Sequence, residues 1–193
     1  MTYRIIDGNA ISRAERQKWK QRVDWLKERG IVPGLAVIIV GNDSASQVYV
    51  RNKVRACTET GLYSKLLEMP GDSSEHAVLD QIRDLNEDPR IHGILVQLPL
   101  PPNINNDAVL EAISADKDVD GFHLYNMGAL VVGSTVFPPC TPYGVMSLIE
   151  HTGVPIEGQN AVVVGRSNIV GKPMALMLLQ RGATVSICTS RTR

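Results

Sequence analysis

Cysteine is scarce in this chain. Three in 193 residues, Cys57, Cys140 and Cys188, lie far apart, which supports neither a disulfide framework nor a zinc site. An excess of one charge is also missing, since 20 Lys plus Arg balance 20 Asp plus Glu. The concentrated basic face that nucleic acid requires is therefore not expected. No apolar run approaches the roughly 18 residues of a membrane helix, so no membrane partner is expected. Residues 1–7 lack the apolar stretch of a secretory signal. What remains, 44% apolar and 21% charged, suits a soluble globular protein with an adequate core. The expectation is a cytoplasmic chain that handles small molecules.

Short unbroken apolar runs at 35–40, 91–96, 161–164 and 184–188 read as strands, with 63–69 a weaker fifth. Runs without polar alternation are expected where both faces of a sheet are covered, as in parallel α/β sheets. Helical spacing lies between them: Ile11, Trp19, Val23 and Leu26 share one face, as do Val78, Ile82 and Leu85. Gly30, Gly61, Gly153 and Gly182 follow polar helical ends, where a left-handed residue closes a helix. Thr141-Pro142 reads as an N-cap followed by proline at the first helical position. The alternation predicts an α/β fold with parallel sheets. Prolines cluster at 99–102 and 138–139, flanking a stretch with little periodicity apart from a short helix near 107–113. A domain boundary is placed at its end, giving domains 1–139 and 140–193.

In the second domain, the strand ending at Gly165 runs into Arg166-Ser167-Asn168-Ile169-Val170-Gly171-Lys172-Pro173 and then a helix. A glycine-rich turn at a helix N-terminus presents free N–H groups to phosphate. A P-loop is excluded: five residues separate the glycines instead of four, and Pro173 replaces the Mg²⁺-binding hydroxyl. The dinucleotide fingerprint is imperfect, because Ser167 stands where its second glycine belongs, and a purely structural turn stays open. The second strand is followed by Thr189-Ser190-Arg191 with no carboxylate for a ribose 2′-hydroxyl. Arg166 and Arg191 instead suit a 2′-phosphate, so the site reads as NADP rather than NAD, with solvated surface charge as the plain alternative. Only two strands can be counted here against about six in a full dinucleotide fold. The expectation is a Rossmann-like domain whose C-terminal part is absent, from a fragment or a unit dependent on another chain.

In the first domain, Ser46, Tyr49 and Lys53 form a stripe on the helix after strand 35–40. Gln97 ends strand 91–96, and Asp118-Val119-Asp120-Gly121 follows in the irregular stretch. Ligands of open α/β sheets bind beyond the carboxyl ends of the strands, where these residues are expected to gather. A lysine on the inner wall of such a cleft would be partly desolvated and turned into a useful acid or base. Tyr49 would offer a flat face to a heteroaromatic ring. Each feature alone is ordinary: a Tyr–Lys pair is most often a solvated helix face, and Asp-Gly most often a turn.

Taken together, five ordered motifs resemble the bifunctional methylenetetrahydrofolate dehydrogenase/cyclohydrolase family. They are Val40-Gly41-Asn42-Asp43-Ser44-Ala45-Ser46 with Tyr49 and Lys53, Val96-Gln97-Leu98-Pro99-Leu100-Pro101, Lys117-Asp118-Val119-Asp120-Gly121-Phe122, Pro139-Cys140-Thr141-Pro142, and Val164-Gly165-Arg166-Ser167 with Val170-Gly171-Lys172-Pro173. The resemblance covers nearly the whole chain. It implies a homodimeric enzyme of two domains, a folate-binding catalytic one and a Rossmann-like NADP-binding one. It implies oxidation of 5,10-methylenetetrahydrofolate to the methenyl cation with NADP⁺, then hydrolysis to 10-formyltetrahydrofolate. By the same resemblance Lys53 is the acid/base centre, tuned by Gln97; Tyr49 stacks on the folate, Asp120 reads the pterin edge, and Ser46 supports the pocket. Gly165, Arg166, Ser167 and Arg191 fall to the cofactor.

The sequence departs from the family pattern at Leu124, where a proline is usual after His123, at Ala129, where a basic residue is frequent, and at Thr189, where a histidine is frequent. Those positions are expected to lie in loops and on the cofactor side. Two other readings are carried beside the leading one. One is a truncated chain that binds folate without turnover, and the other an NADP-dependent oxidoreductase of the same plan with a different substrate.

Overall fold

The computed structural model describes residues 5–193. Two compact units are present: Ser12–Asp118 is one, and Val119–Arg193, with the described residues up to Ile11, is the other.

In the first unit β1 (Gly34–Val40), β2 (Tyr63–Met69) and β3 (Gly93–Val96) form a parallel sheet in the order β2-β1-β3. Gly34 pairs with Tyr63 and Leu35 with Gly93. The unbroken Ala-Val-Ile-Ile-Val run of β1 is buried throughout, as a central strand covered on both faces must be. β2, at the edge, alternates between exposed and half-buried positions. Four helices accompany the sheet: α1 (Gly8–Lys27), α2 (Ser44–Thr60), α3 (Glu75–Glu87) and α4 (Asn106–Ala112). Val78, Ile82 and Leu85 of α3 meet Ala36, Ile38, Val40, Ile94 and Val96 in the core. Side chains start the helices as polar caps should: Asp43 for α2, Ser74 for α3, Asn105 for α4. Gly61 ends α2 in the left-handed region at φ 82°.

α1 departs from expectation. Of its expected apolar face only Val23 is buried, and Trp19 is 49% exposed. Trp19, Val23 and Leu26 instead line a depression of about 530 Å³ with Leu35, Cys57 and Leu62. The 3.6-residue spacing identified the face correctly but not how much of it the sheet covers.

The second unit holds α5 (Leu124–Val132), α6 (Cys140–Thr152), β4 (Asn160–Val164), α7 (Gly171–Gln180) and β5 (Thr184–Cys188). β4 and β5 pair in parallel, Asn160 with Thr184 through Val164 with Cys188. Leu130, Met146, Met174, Met177, Leu178 and Ala183 form its core. Two-sided burial was expected of both strands, but each has exposed positions: Val162, Val164 and Ile187 are 64%, 87% and 45% exposed. α6 begins one residue before the expected cap, with Pro139 at the N-cap and no side-chain cap bond, which leaves Thr141 inside the first turn. α5 was not expected. His123 starts it by accepting the Tyr125 N–H at Nδ1 (3.0 Å), and Gln180 Nε2 donates to the Leu130 carbonyl, so this helix packs with the C-terminal core.

Candidate active site

α2 leaves the carboxyl end of β1 through Gly41, whose φ of 85° suits glycine. Asp43 accepts the Ser46 N–H at 2.7 Å. That bond, followed by one from the Ser46 hydroxyl, holds the Asp43 carboxyl below its ordinary range. Ser46 is thus 4% exposed and turned to its own helix cap. One turn on, Tyr49 stands 62% exposed, a free aromatic face. Another turn brings the half-buried Lys53.

Lys53 Nζ donates to Gln97 Oε1 at 3.1 Å, across 44 residues of sequence. Gln97 extends the ladder beyond β3, its N–H bonded to the Ile38 carbonyl at 2.8 Å. Its amide cannot flip freely, because Nε2 donates to the Leu98 carbonyl at 2.7 Å. The amide therefore offers Lys53 an acceptor, never a donor. Such an arrangement holds the Lys53 amine in place. Cys57, one turn beyond Lys53, is buried, and burial pushes its thiol up, as expected of a packing residue.

Asp120 belongs to the second unit, where it is half-buried. Its neighbour Gly121 has φ 71°, and a Cβ there would stand 2.5 Å from the Phe137 carbonyl oxygen and 2.7 Å from Pro139 N. Cys140 Sγ donates to the Val119 carbonyl at 3.0 Å. The Asp-Gly pair is thus a close backbone contact rather than an ordinary turn. The sequence signal for it was the glycine in an aperiodic stretch; nothing in the sequence indicated its partner.

The loop between β4 and α7 belongs to the same unit. A Cβ on Gly171 would stand 2.4 Å from the Gly165 carbonyl oxygen, so strand and helix meet where only glycine fits. Ser167 Oγ accepts the N–H groups of Val170 and Gly171, both at 3.2 Å. The serine that breaks the glycine fingerprint pins the loop to the helix start. Gly165 N–H bonds to the Cys188 carbonyl at 2.8 Å, so the segments carrying Arg166 and Arg191 leave the same sheet edge, both arginines exposed. Thr189 accepts the Arg191 N–H at 3.1 Å and shapes that turn. Among the described residues no group of three or more His, Cys, Asp or Glu side chains is placed to hold a metal, and no helix is long and apolar enough to cross a membrane.

Two family models match this architecture: the tetrahydrofolate dehydrogenase/cyclohydrolase catalytic domain over residues 6–120, and that family's NAD(P)-binding domain over residues 139–193. The chain belongs to the tetrahydrofolate dehydrogenase/cyclohydrolase family. It is 60% identical to the bifunctional protein FolD of Nitrosospira multiformis, over 100% of this chain and 67% of that protein. The FolD of Bordetella petrii is 58% identical over 98% of this chain and 65% of its own length. The chain thus spans about two thirds of the length of the curated relatives it matches. Among solved structures, the FolD methylenetetrahydrofolate dehydrogenase/cyclohydrolase of Campylobacter jejuni superposes with a TM-score of 0.95 at 47% identity, over 97% of this chain and 67% of that one. The Trypanosoma brucei enzyme, complexed with NADP and an inhibitor, does so with 0.95 at 37% identity, over 100% and 66%. The second unit therefore carries the family's NAD(P)-binding domain, as the resemblance implied.

Proposed function

We propose that this chain oxidises 5,10-methylenetetrahydrofolate with NADP⁺ and hydrolyses the resulting methenyl cation to 10-formyltetrahydrofolate. The observation that carries the reading is the Lys53–Gln97 hydrogen bond at the carboxyl edge of the sheet, on the same helix as the exposed Tyr49. In this reading Lys53 is the acid/base centre. Positive charge develops on the one-carbon unit as hydride leaves, so a fixed ammonium beside it is unfavourable. Lys53, held by the acceptor amide of Gln97, is the acid/base group for the water that attacks the methenyl carbon. Gln97, oriented by Leu98, keeps the amine at that station. Tyr49 supplies the face on which the folate ring system stacks. Asp120 accepts from the polar edge of the pterin, and a ligand without those donors forgoes that recognition. Ser46 supports the pocket through the α2 cap.

Two features support the cofactor reading of the loop: the close Gly165–Gly171 backbone approach, and the departure of the segments carrying Arg166 and Arg191 from one sheet edge. Gly165 and Ser167 would form the backbone cradle, and the two arginines would hold the 2′-phosphate. When bound, NADP⁺ supplies the hydride acceptor. The functional division follows at 139/140, with folate residues before it and cofactor residues after. The reading includes a homodimer acting in the cytoplasm on tetrahydrofolate derivatives, with neither nucleic acid nor membrane as partner.

Lys53→Met tests the centre of this reading. It should lower the hydrolysis of methenyltetrahydrofolate by about 10²–10⁴-fold, the usual worth of a general acid/base. Near-normal hydrolysis by that variant removes Lys53 from the mechanism.

A further inference from the structure

Lys117 is the first residue of the Lys-Asp-Val-Asp-Gly motif, and its side chain turns away from the motif to close the end of another element. Nζ donates to three backbone carbonyls where α3 ends: Leu85 at 3.1 Å, Asn86 at 2.7 Å and Asp88 at 3.1 Å. The last carbonyls of a helix lack intrahelical partners, and a cation there meets the negative end of the helix dipole. α3 lacks the left-handed glycine that ends α2; its C-cap is Asp88, in extended backbone. A side chain from about thirty residues further on takes the glycine's place.

The same residues tie the neighbouring chain down. Asn86 Nδ2 donates to the Ala112 carbonyl at 2.8 Å, and its Oδ1 accepts the Ser114 N–H at 3.0 Å. The Lys117 N–H bonds back to the Ser114 carbonyl at 2.8 Å, and the Lys117 carbonyl accepts the Ile94 N–H at 2.7 Å. Asp118, 1% exposed, bridges in parallel to Ile94 of β3. Lys117 is therefore fastened at both its side chain and its backbone. Asp120 follows three residues after Lys117, within about 11 Å of chain, and Gly121 beyond it is confined by the backbone at Phe137 and Pro139.

We infer that Lys117 is a positioning residue for Asp120: by capping α3 it fixes the start of the segment that delivers the carboxylate to the pterin edge. Holding a lysine still sacrifices considerable side-chain freedom, and three carbonyl partners offset that loss. The inference rests on the reading of Asp120 as a folate contact.

The test uses the full 193-residue chain with Lys117→Met, which removes the donors and keeps much of the stem. Tetrahydrofolate, kept reduced, should bind about tenfold more weakly, while NADP⁺ affinity is unchanged. In an Asp120→Ala background the same substitution should add less than about twofold, because residues acting through one contact are not additive. Full additivity, or no loss in the single variant, overturns the inference. A second measurement needs no ligand: amide hydrogen exchange across 117–121 should quicken in Lys117→Met while β1 keeps its protection, and unchanged exchange there overturns it equally. If Asp120→Ala binds tetrahydrofolate as tightly as the unaltered chain, the folate role of Asp120 fails, and the exchange result still decides whether Lys117 holds the segment.

Discussion

The proposed site rests on a few atoms that have no freedom to be elsewhere. Gln97 shows an acceptor to Lys53 because its other end is committed to the Leu98 carbonyl. Gly171 carries the equivalent constraint in the cofactor loop. Alanine there would place a carbon 2.4 Å from the Gly165 carbonyl oxygen and 2.8 Å from Arg166 N, and both are backbone atoms, which cannot swing aside. Gly171→Ala should therefore part the loop from α7 and weaken NADP⁺ binding by at least about tenfold, a loss of some 1.4 kcal/mol, with tetrahydrofolate binding unchanged. Titration calorimetry with each ligand checks this; equal NADP⁺ affinity in the variant would show that the loop can relax.

Among the elements, α2 does the most. It carries Ser46, Tyr49 and Lys53 at helical spacing, so whatever fixes its first turn also fixes the height and rotation of the lysine. The cap is Asp43, with its carboxyl lowered chiefly by the Ser46 N–H. A depressed carboxyl stabilises the folded state above its unfolded value, near pH 4, and that contribution fades as pH falls through the lower folded value. Asp43→Ala should lower the melting temperature at pH 7, and the gap between variant and parent should close as the solution is acidified below about pH 4. A gap that persists undiminished in acid would mean that the carboxylate charge is not what caps the helix. The stripe itself was legible from spacing alone. That Ser46 faces its own cap while Tyr49 stands in the open was not, because a helical period does not say which way the sheet lies.

At the scale of the whole molecule, each unit has its own core, and the two cores differ in closure. In Ser12–Asp118 the middle strand is covered on both faces, so a truncation there has no water-filled space to relax into. Ile82, fully buried against β1 and β3, should cost about 2–5 kcal/mol when changed to alanine, measured by urea unfolding. A loss below about 1 kcal/mol would mean that the α3 contact is looser than its burial indicates. The second unit buries Met174, Met177 and Leu178 of α7 beneath β4 and β5 but leaves Val162, Val164 and Ile187 in the open.

The sequence by itself determined the elements whose pattern is local: the buried runs of β1 and β3, the α3 face, the left-handed ends at Gly61 and Gly153, and the strand-loop-helix of the cofactor region. It also determined the family, through five motifs in order. Those features depend on neighbours within a turn or a strand, where side-chain period and glycine or proline conformation act directly. The helix α5 does not show in the pattern because it is short and apolar nearly all round, which leaves no clear period, and it is held by a contact with Gln180, about fifty residues away. Only the tertiary structure decided that Lys53 meets Gln97 and that Gly121 is pressed against Phe137 and Pro139. It alone showed that Lys117 caps α3 and that β4 and β5 have exposed apolar positions. Each of these depends on which distant segments are brought into contact, and sequence spacing carries no information about a partner thirty or forty residues away.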